Sequence, residues 1–203
     1  MKKLMIFSLL CAAPIFAQTP VTTCTGMIQP TVITGDLDVP AGKTCTLFST
    51  PYGNIVEVQG NVTVQGTLLS YGTHFLKNVT ANGGAISFRY DFGNQIPTIV
   101  DGDVLITNSN NFSAITKGTV PAQPQVKGNL TVTGNGTDPD GWFGFTAFGV
   151  VVGGNMAVSN NNAKTPIFLY ENVVGKNLNC GGNNPAPTNI GNTAGQHKNG
   201  QCK

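Results

Sequence analysis

Val58-Gln59-Gly60-Asn61-Val62-Thr63-Val64 and Val126-Lys127-Gly128-Asn129-Leu130-Thr131-Val132 are two copies of one pattern, an apolar position on every second residue with a Gly-Asn step between the first two. The tetrad at its centre occurs seven times: Gly35-Asp36-Leu37-Asp38, Gly60-Asn61-Val62-Thr63, Lys77-Asn78-Val79-Thr80, Gly102-Asp103-Val104-Leu105, Gly128-Asn129-Leu130-Thr131, Gly154-Asn155-Met156-Ala157 and Lys176-Asn177-Leu178-Asn179. Successive starts are 25, 17, 25, 26, 26 and 22 residues apart. That spacing is typical of chains that stack one structural unit on the next.

Counting from the first residue of each tetrad, the positions two before it are Ile33, Val58, Phe75, Val100, Val126, Val152 and Val174. The positions two after it are Leu37, Val62, Val79, Val104, Leu130, Met156 and Leu178, and those four after it are Val39, Val64, Ala81, Ile106, Val132, Val158 and Cys180. All are apolar, with mostly polar residues between, so the period is two and the element is a strand with one buried face. A strand that returns in the same sense without an amphipathic crossover cannot build a βαβ sheet. The remaining solution is an all-β, single-stranded, right-handed parallel β-helix of about seven coils, whose equivalent strands lie ~4.8 Å apart.

Within the tetrad, glycine is expected to turn a corner of the coil, and Asn or Asp to tolerate left-handed backbone there. Asn61, Asn78, Asn129, Asn155 and Asn177 are positioned to form an amide ladder that Asp36 and Asp103 interrupt. A second, aromatic-rich strand recurs between tetrads. Its Phe88, Phe112, Phe143, Phe145 and Phe168 are expected inside the coil, and Trp142, Tyr90 and Tyr170 are the candidates for a surface contact.

Residues 1–17 combine Lys2 and Lys3, an apolar run from Leu4 to Phe16 and the small Ala17, the layout of a secretory signal too short to span a bilayer. Residues 18–180 are assigned to the β-helix and 181–203 to an irregular cap. The whole chain has 11 Lys and Arg against 9 Asp and Glu; removing Lys2 and Lys3 leaves nine of each, a net charge of zero. No basic surface remains to meet nucleic acid, and no second apolar segment of spanning length exists to hold the processed chain in a membrane. Cys24 and Cys45 are 21 residues apart and Cys180 and Cys202 are 22 apart, each close to one repeat. Pairing within each couple fits the Cα separation that a disulfide requires, and an exported chain meets an oxidising compartment.

The Gly-Asn-Leu/Val-x-Val tetrads resemble those of right-handed parallel β-helix proteins, the pectate-lyase-like superfold of exported bacterial and plant proteins, over about residues 30 to 180. The tail, with Asn183-Asn184-Pro185-Ala186-Pro187-Thr188 and Gly200-Gln201-Cys202, looks like the ending of small secreted bacterial proteins. The resemblance implies two kinds of function. One is a non-enzymatic structural, adhesive or glycan-contacting role, with an extracellular glycan or a cell-surface protein as partner. The other is polysaccharide lyase or glycoside hydrolase chemistry, for which Asp101, Asp103, Asp138, Asp140 and Arg89 are the candidates. A lyase needs carboxylates converging on calcium beside a base, and a hydrolase needs two carboxyl groups facing one bond. Asp-x-Asp in a turn more often caps backbone amides, so the non-enzymatic reading is preferred. His74 and His197 have no second ligand at metal spacing, and no cofactor is implied.

Overall fold

The computed structural model describes residues 19–50, 53–89, 96–118 and 123–203, so the expected leader and Tyr90 lie outside the described residues. Every regular element among the described residues is a strand, and all strand pairs are parallel. They form three sheets, nine, eight and eight strands deep, along which the chain winds in strict rotation. The seven tetrads supply the seven inner strands of the first sheet, from Asp36–Val39 to Leu178–Gly181. Val21–Thr23 and Lys198–Gly200 extend that sheet by one strand at either end. This is a parallel β-solenoid of about seven turns.

All twenty-one apolar positions of the repeat are buried in one continuous core. Val62, Val79, Val104, Leu130, Met156 and Leu178 are direct register partners, so like side chains meet like from turn to turn. The stretch that reads as one strand is bent in two. Val58, Val100 and Val126 belong to the third sheet, whereas Val62, Val104 and Leu130 belong to the first, and the chain turns at the tetrad glycine.

The reason for that glycine is steric rather than torsional. None of Gly60, Gly102, Gly128 and Gly154 has a positive φ, but a Cβ on each would overlap a side-chain oxygen of the preceding turn, on Asp36, Asn78, Asp103 and Asn129 respectively. The tetrad Asn residues are not left-handed either. Left-handed backbone falls after the strands of the first and second sheets, at Asn108 (φ 53°), Asn160 (φ 54°) and Glu171 (φ 52°), and at glycines in equivalent places.

Two expectations are corrected. Residues 181–203 are not an irregular cap: Thr188–Ile190, Thr193–Ala194 and Lys198–Gly200 add one strand to each sheet. Hydrogen bonding and the staple hold this turn where apolar side chains are few. Phe88, Phe143 and Phe145 are fully buried as expected, but Phe112 is 46% exposed and Phe168 half-buried. Both stand on the outward phase of their strands, Phe112 beside the bare Gly144 and Phe168 beside Thr146 and Thr188. The disulfides form as expected, Cys24–Cys45 with Cα atoms 5.4 Å apart and Cys180–Cys202 with 5.2 Å, each joining neighbouring turns near an end.

Candidate functional site

Each sheet presents a different outer face. On the first sheet, the second residues of the tetrads form a column in which backbone N–H groups donate to the side-chain oxygen one turn earlier: Asn61 to Asp36 Oδ1 (2.7 Å), Asp103 to Asn78 (2.9 Å), Asn129 to Asp103 (2.6 Å) and Asn155 to Asn129 (2.9 Å). Only an acceptor oxygen is needed for this, so the aspartates continue the column; Asp103 merely lacks an amide N–H to pass on. Where Lys176 replaces the tetrad glycine, the bond from Asn177 to Asn155 lengthens to 3.2 Å, consistent with the crowding a Cβ brings. This column and the next outward one, from Thr80 through Thr131 to Asn179, line a shallow groove of about 670 Å³.

The second sheet carries aromatic rings. Phe48 and Tyr71 are register partners with ring centroids 5.9 Å apart, and Phe148, Tyr170 and Ile190 continue that column at the other end. Phe168 and Tyr170 are stacked, with centroids 5.5 Å apart and planes 21° off parallel. Phe112 lies on the opposite margin, next to the corner that holds Trp142, which is 69% exposed. Lys117 runs along the axis past Gly149, with its ammonium 4.8 Å from the Phe148 ring centroid and 2.7 Å from Glu171 Oε2. A Cβ at Gly149 would collide with the Lys117 stem. The sheet thus presents rings at both ends of one outward column, with Arg89 beside Tyr71 and Lys117 beside Phe148.

The third sheet holds a charged group. Asp101 accepts from Lys127 Nζ at 2.7 Å and lies 3.2 Å from His74 Nε2, three residues drawn from successive turns. The hydrogen bond from Lys127 holds the Asp101 carboxyl below its ordinary 3.8, partial burial opposes this, and His74 lowers it further.

The remaining candidates have local partners where any is seen. Asp103 belongs to the outer ladder. Asp138 caps its own turn, accepting from the Asp140 N–H at 2.9 Å, and Arg89 donates from Nε to Ser87 Oγ at 2.8 Å. Topology separates the candidates: Asp101 and Asp103 flank the corner from the third sheet to the first, Asp138 and Asp140 occupy the corner from the first to the second, and Arg89 ends a strand of the second. No group of three or more His, Cys, Asp or Glu gathers among the described residues. Trp142 stands exposed at the corner before the Gly144–Phe148 strand, and Tyr170 ends a strand of the second sheet.

The chain matches no protein-family model, no curated protein and no solved structure. Its function therefore has to be argued from its own side chains.

Sequence reading missed two buried amide columns. Asn135, Asn161 and Asn183 fill the corner from the first sheet to the second. Asn161 donates to Val132 O (3.0 Å) and Asn183 Oδ1 (2.8 Å), and its own Oδ1 accepts from the Asn135 amide (2.8 Å) and N–H (3.2 Å). Gln201 ends this column by accepting from both nitrogens of Asn183. Asn172 and Asn192 do the same in the next corner. The available signal is a Gly or Asn directly followed by Ser or Asn at the repeat spacing, as in Asn108-Ser109, Gly134-Asn135, Asn160-Asn161 and Gly182-Asn183. The first member is the left-handed residue and the second turns inward.

Proposed function

We propose that this chain is an exported, non-enzymatic β-solenoid that presents its aromatic face to an extracellular glycan, in a structural or adhesive role at or outside the cell surface. The observation that carries this reading is the stacked Phe168–Tyr170 pair on the outward phase of the second sheet, with the exposed Trp142 at a corner leading into that sheet. Sugar rings have apolar C–H faces and polar rims. Flat aromatic surface covers the former, while hydroxyls such as those of Thr146 and Thr165 serve the latter. Apolar rings left in water at fixed positions on a rigid sheet favour a partner. The two disulfides indicate an oxidising, extracellular environment, and the leader-like residues 1–17 provide the route to it. The right-handed, pectate-lyase-like relationship and a bacterial source belong to the same reading and rest on the tetrads.

Trp142 is the only tryptophan, so its fluorescence reports on that corner directly. A glycan array with the processed protein, with and without calcium, selects the ligand. Titration of that ligand is then expected to shift the Trp142 emission, and Trp142→Ala to weaken binding at least about tenfold, or 1.4 kcal/mol. Calcium-dependent turnover of a polyuronide would replace the reading with the enzymatic one, and binding that ignores Trp142→Ala would move the site elsewhere.

A further inference from the structure

Three Asn-Gly steps occur in the chain: Asn82-Gly83, Asn135-Gly136 and Asn199-Gly200. In such a step the backbone nitrogen of the glycine can attack the side-chain carbonyl carbon of the asparagine, and the missing Cβ leaves that approach unobstructed. The fold treats the three steps differently. The Gly83 N–H donates to Thr107 O at 3.0 Å, and Asn82 Oδ1 accepts from Asn108 Nδ2 at 2.9 Å. The Gly136 N–H donates to Ser109 O at 2.8 Å, and the Asn135 amide is buried, its oxygen on the Ser109 N–H and its nitrogen on Ile106 O and Asn161 Oδ1. Both of these glycine nitrogens are tied to a neighbouring turn.

Asn199-Gly200 escapes that restraint. Lys198–Gly200 is the last strand of the first sheet, and all three residues are exposed. The Leu178 N–H donates to His197 O and the Gln201 N–H to Cys180 O. By the alternation of a parallel ladder, the Gly200 N–H points to the side where no strand lies among the described residues, and no described residue accepts from it. The Asn199 carboxamide is exposed and donates from Nδ2 to Asn179 Oδ1 at 2.7 Å. Glycine is required at the next position, because Gly200 has a φ of 62° and a Cβ there would overlap Cys180 O. The stack therefore places the most permissive follower beside an exposed asparagine.

We propose that Asn199 is a site of spontaneous self-modification, which converts to aspartate and isoaspartate while Asn82 and Asn135 persist. Local opening of the short terminal strand lets the Gly200 nitrogen reach Asn199 Cγ. The nitrogen gives its proton to solvent, the N–Cγ bond forms, the Cγ–Nδ2 bond breaks and ammonia leaves, closing a five-membered succinimide ring. Water then opens the ring at either carbonyl, giving aspartate where the original main-chain amide is restored and isoaspartate where the chain runs through the side chain. One water enters and one ammonia departs, with no change of oxidation state. Either product sets a carboxylate where an amide donated to Asn179, so oxygen faces oxygen and residue 199 gains a negative charge. Isoaspartate also lengthens the main chain by a methylene two residues before Gln201, which caps the buried Asn183 amide. The modification thus loosens the last strand while the Cys180–Cys202 bridge keeps it attached. It is independent of glycan binding.

The test ages the folded protein at mildly alkaline pH, quenches it in acid, reduces the disulfides and maps the peptides by mass spectrometry, with isoaspartyl methyltransferase reporting isoaspartate. The expected result is a one-dalton gain at Asn199 at least about tenfold faster than at Asn82 or Asn135, and faster as pH rises. In concentrated urea the three sites are expected to convert at comparable rates, which assigns the selectivity to the fold. Asn199→Gln, whose longer side chain needs a less favourable six-membered ring, is expected to melt like the wild type and to abolish the early gain. Hydrogen exchange at 198–201 is expected to quicken in the aged protein. Conversion first at Asn82 or Asn135, equal rates in the folded protein, selectivity that survives urea, or unaltered exchange at 198–201 after conversion each overturns the proposal.

Discussion

Before Ser109 the corners of the stack are turned with hydroxyls and glycines; from Ser109 onward they are turned with buried amides. In the N-terminal half, Ser49 Oγ donates to Gly72 O (2.9 Å) and accepts from the Val56 N–H (2.9 Å), and Ser70 and Thr98 share one hydroxyl bond of 3.0 Å. In the C-terminal half, Asn135, Asn161, Asn172 and Asn183 each bond the backbone of the previous turn and the side chain of the next. A hydroxyl has one proton to give, whereas a primary amide has two and an acceptor besides, so only the amide links three turns. The C-terminal half is thereby cross-braced, and the final turn can form with almost no apolar side chains of its own.

The largest expected effect is in the braced half. Asn161→Ala takes one donor from Val132 O and the acceptor from the buried Asn135 N–H, and should cost about 3 kcal/mol or more in urea unfolding. Ser49→Ala, its counterpart in the other half, should cost about 1–2 kcal/mol. Equal losses would erase the contrast. Next come the staples. Replacing both Cys180 and Cys202 by Ser should cost about 3 kcal/mol, and more than replacing Cys24 and Cys45, because Cys202 also anchors Asn189 through its carbonyl. Thermal melting of the two double variants separates them.

A smaller effect is expected on the outer ladder. Gly154→Ala should cost about 1–3 kcal/mol by driving a methyl into Asn129 Oδ1, while Lys176→Gly, in a repeat that already bears a Cβ, should be close to neutral and shorten the Asn177–Asn155 bond. The smallest is the Asp101 group. Its carboxyl titrates below its ordinary value in the fold, so its ion pairs stabilise above about pH 3.8 and that contribution fades as pH falls through the lower folded value. Asp101→Asn should therefore lower stability at pH 7 by under about 1 kcal/mol, as for an exposed pair, and by less at pH 2.5. A deficit that grows in acid would contradict the assignment.

What the sequence made legible was whatever repeats on alternate residues. Val62, Leu130 and Met156 announce the core because a buried strand face admits few other residue types. Cys24 and Cys180 announced their partners because one repeat returns the chain to nearly the same point. The bend between Val58 and Val62 was hidden, since alternation continues through it. Phe112 and Phe168 were misplaced because hydrophobicity was read without phase; each is in register with outward neighbours. Asn161 and Asn183 escaped notice because they follow left-handed residues in irregular stretches, where no period of two exists. Trp142 and Tyr170 were picked out by chemistry alone; the register of the second sheet places Tyr170 beside Phe148, a neighbour that sequence alone did not show.

The outer and inner amide columns run in opposite senses. Oxygens of the outer column, such as those of Asp103 and Asn129, receive N–H groups from the following turn, while those of Asn135 and Asn172 receive them from the preceding one. Amide dipoles in the two sets therefore oppose each other along the stack, much as antiparallel magnets in a bundle cancel. Each turn added to such a solenoid therefore lengthens donor chains that point both ways.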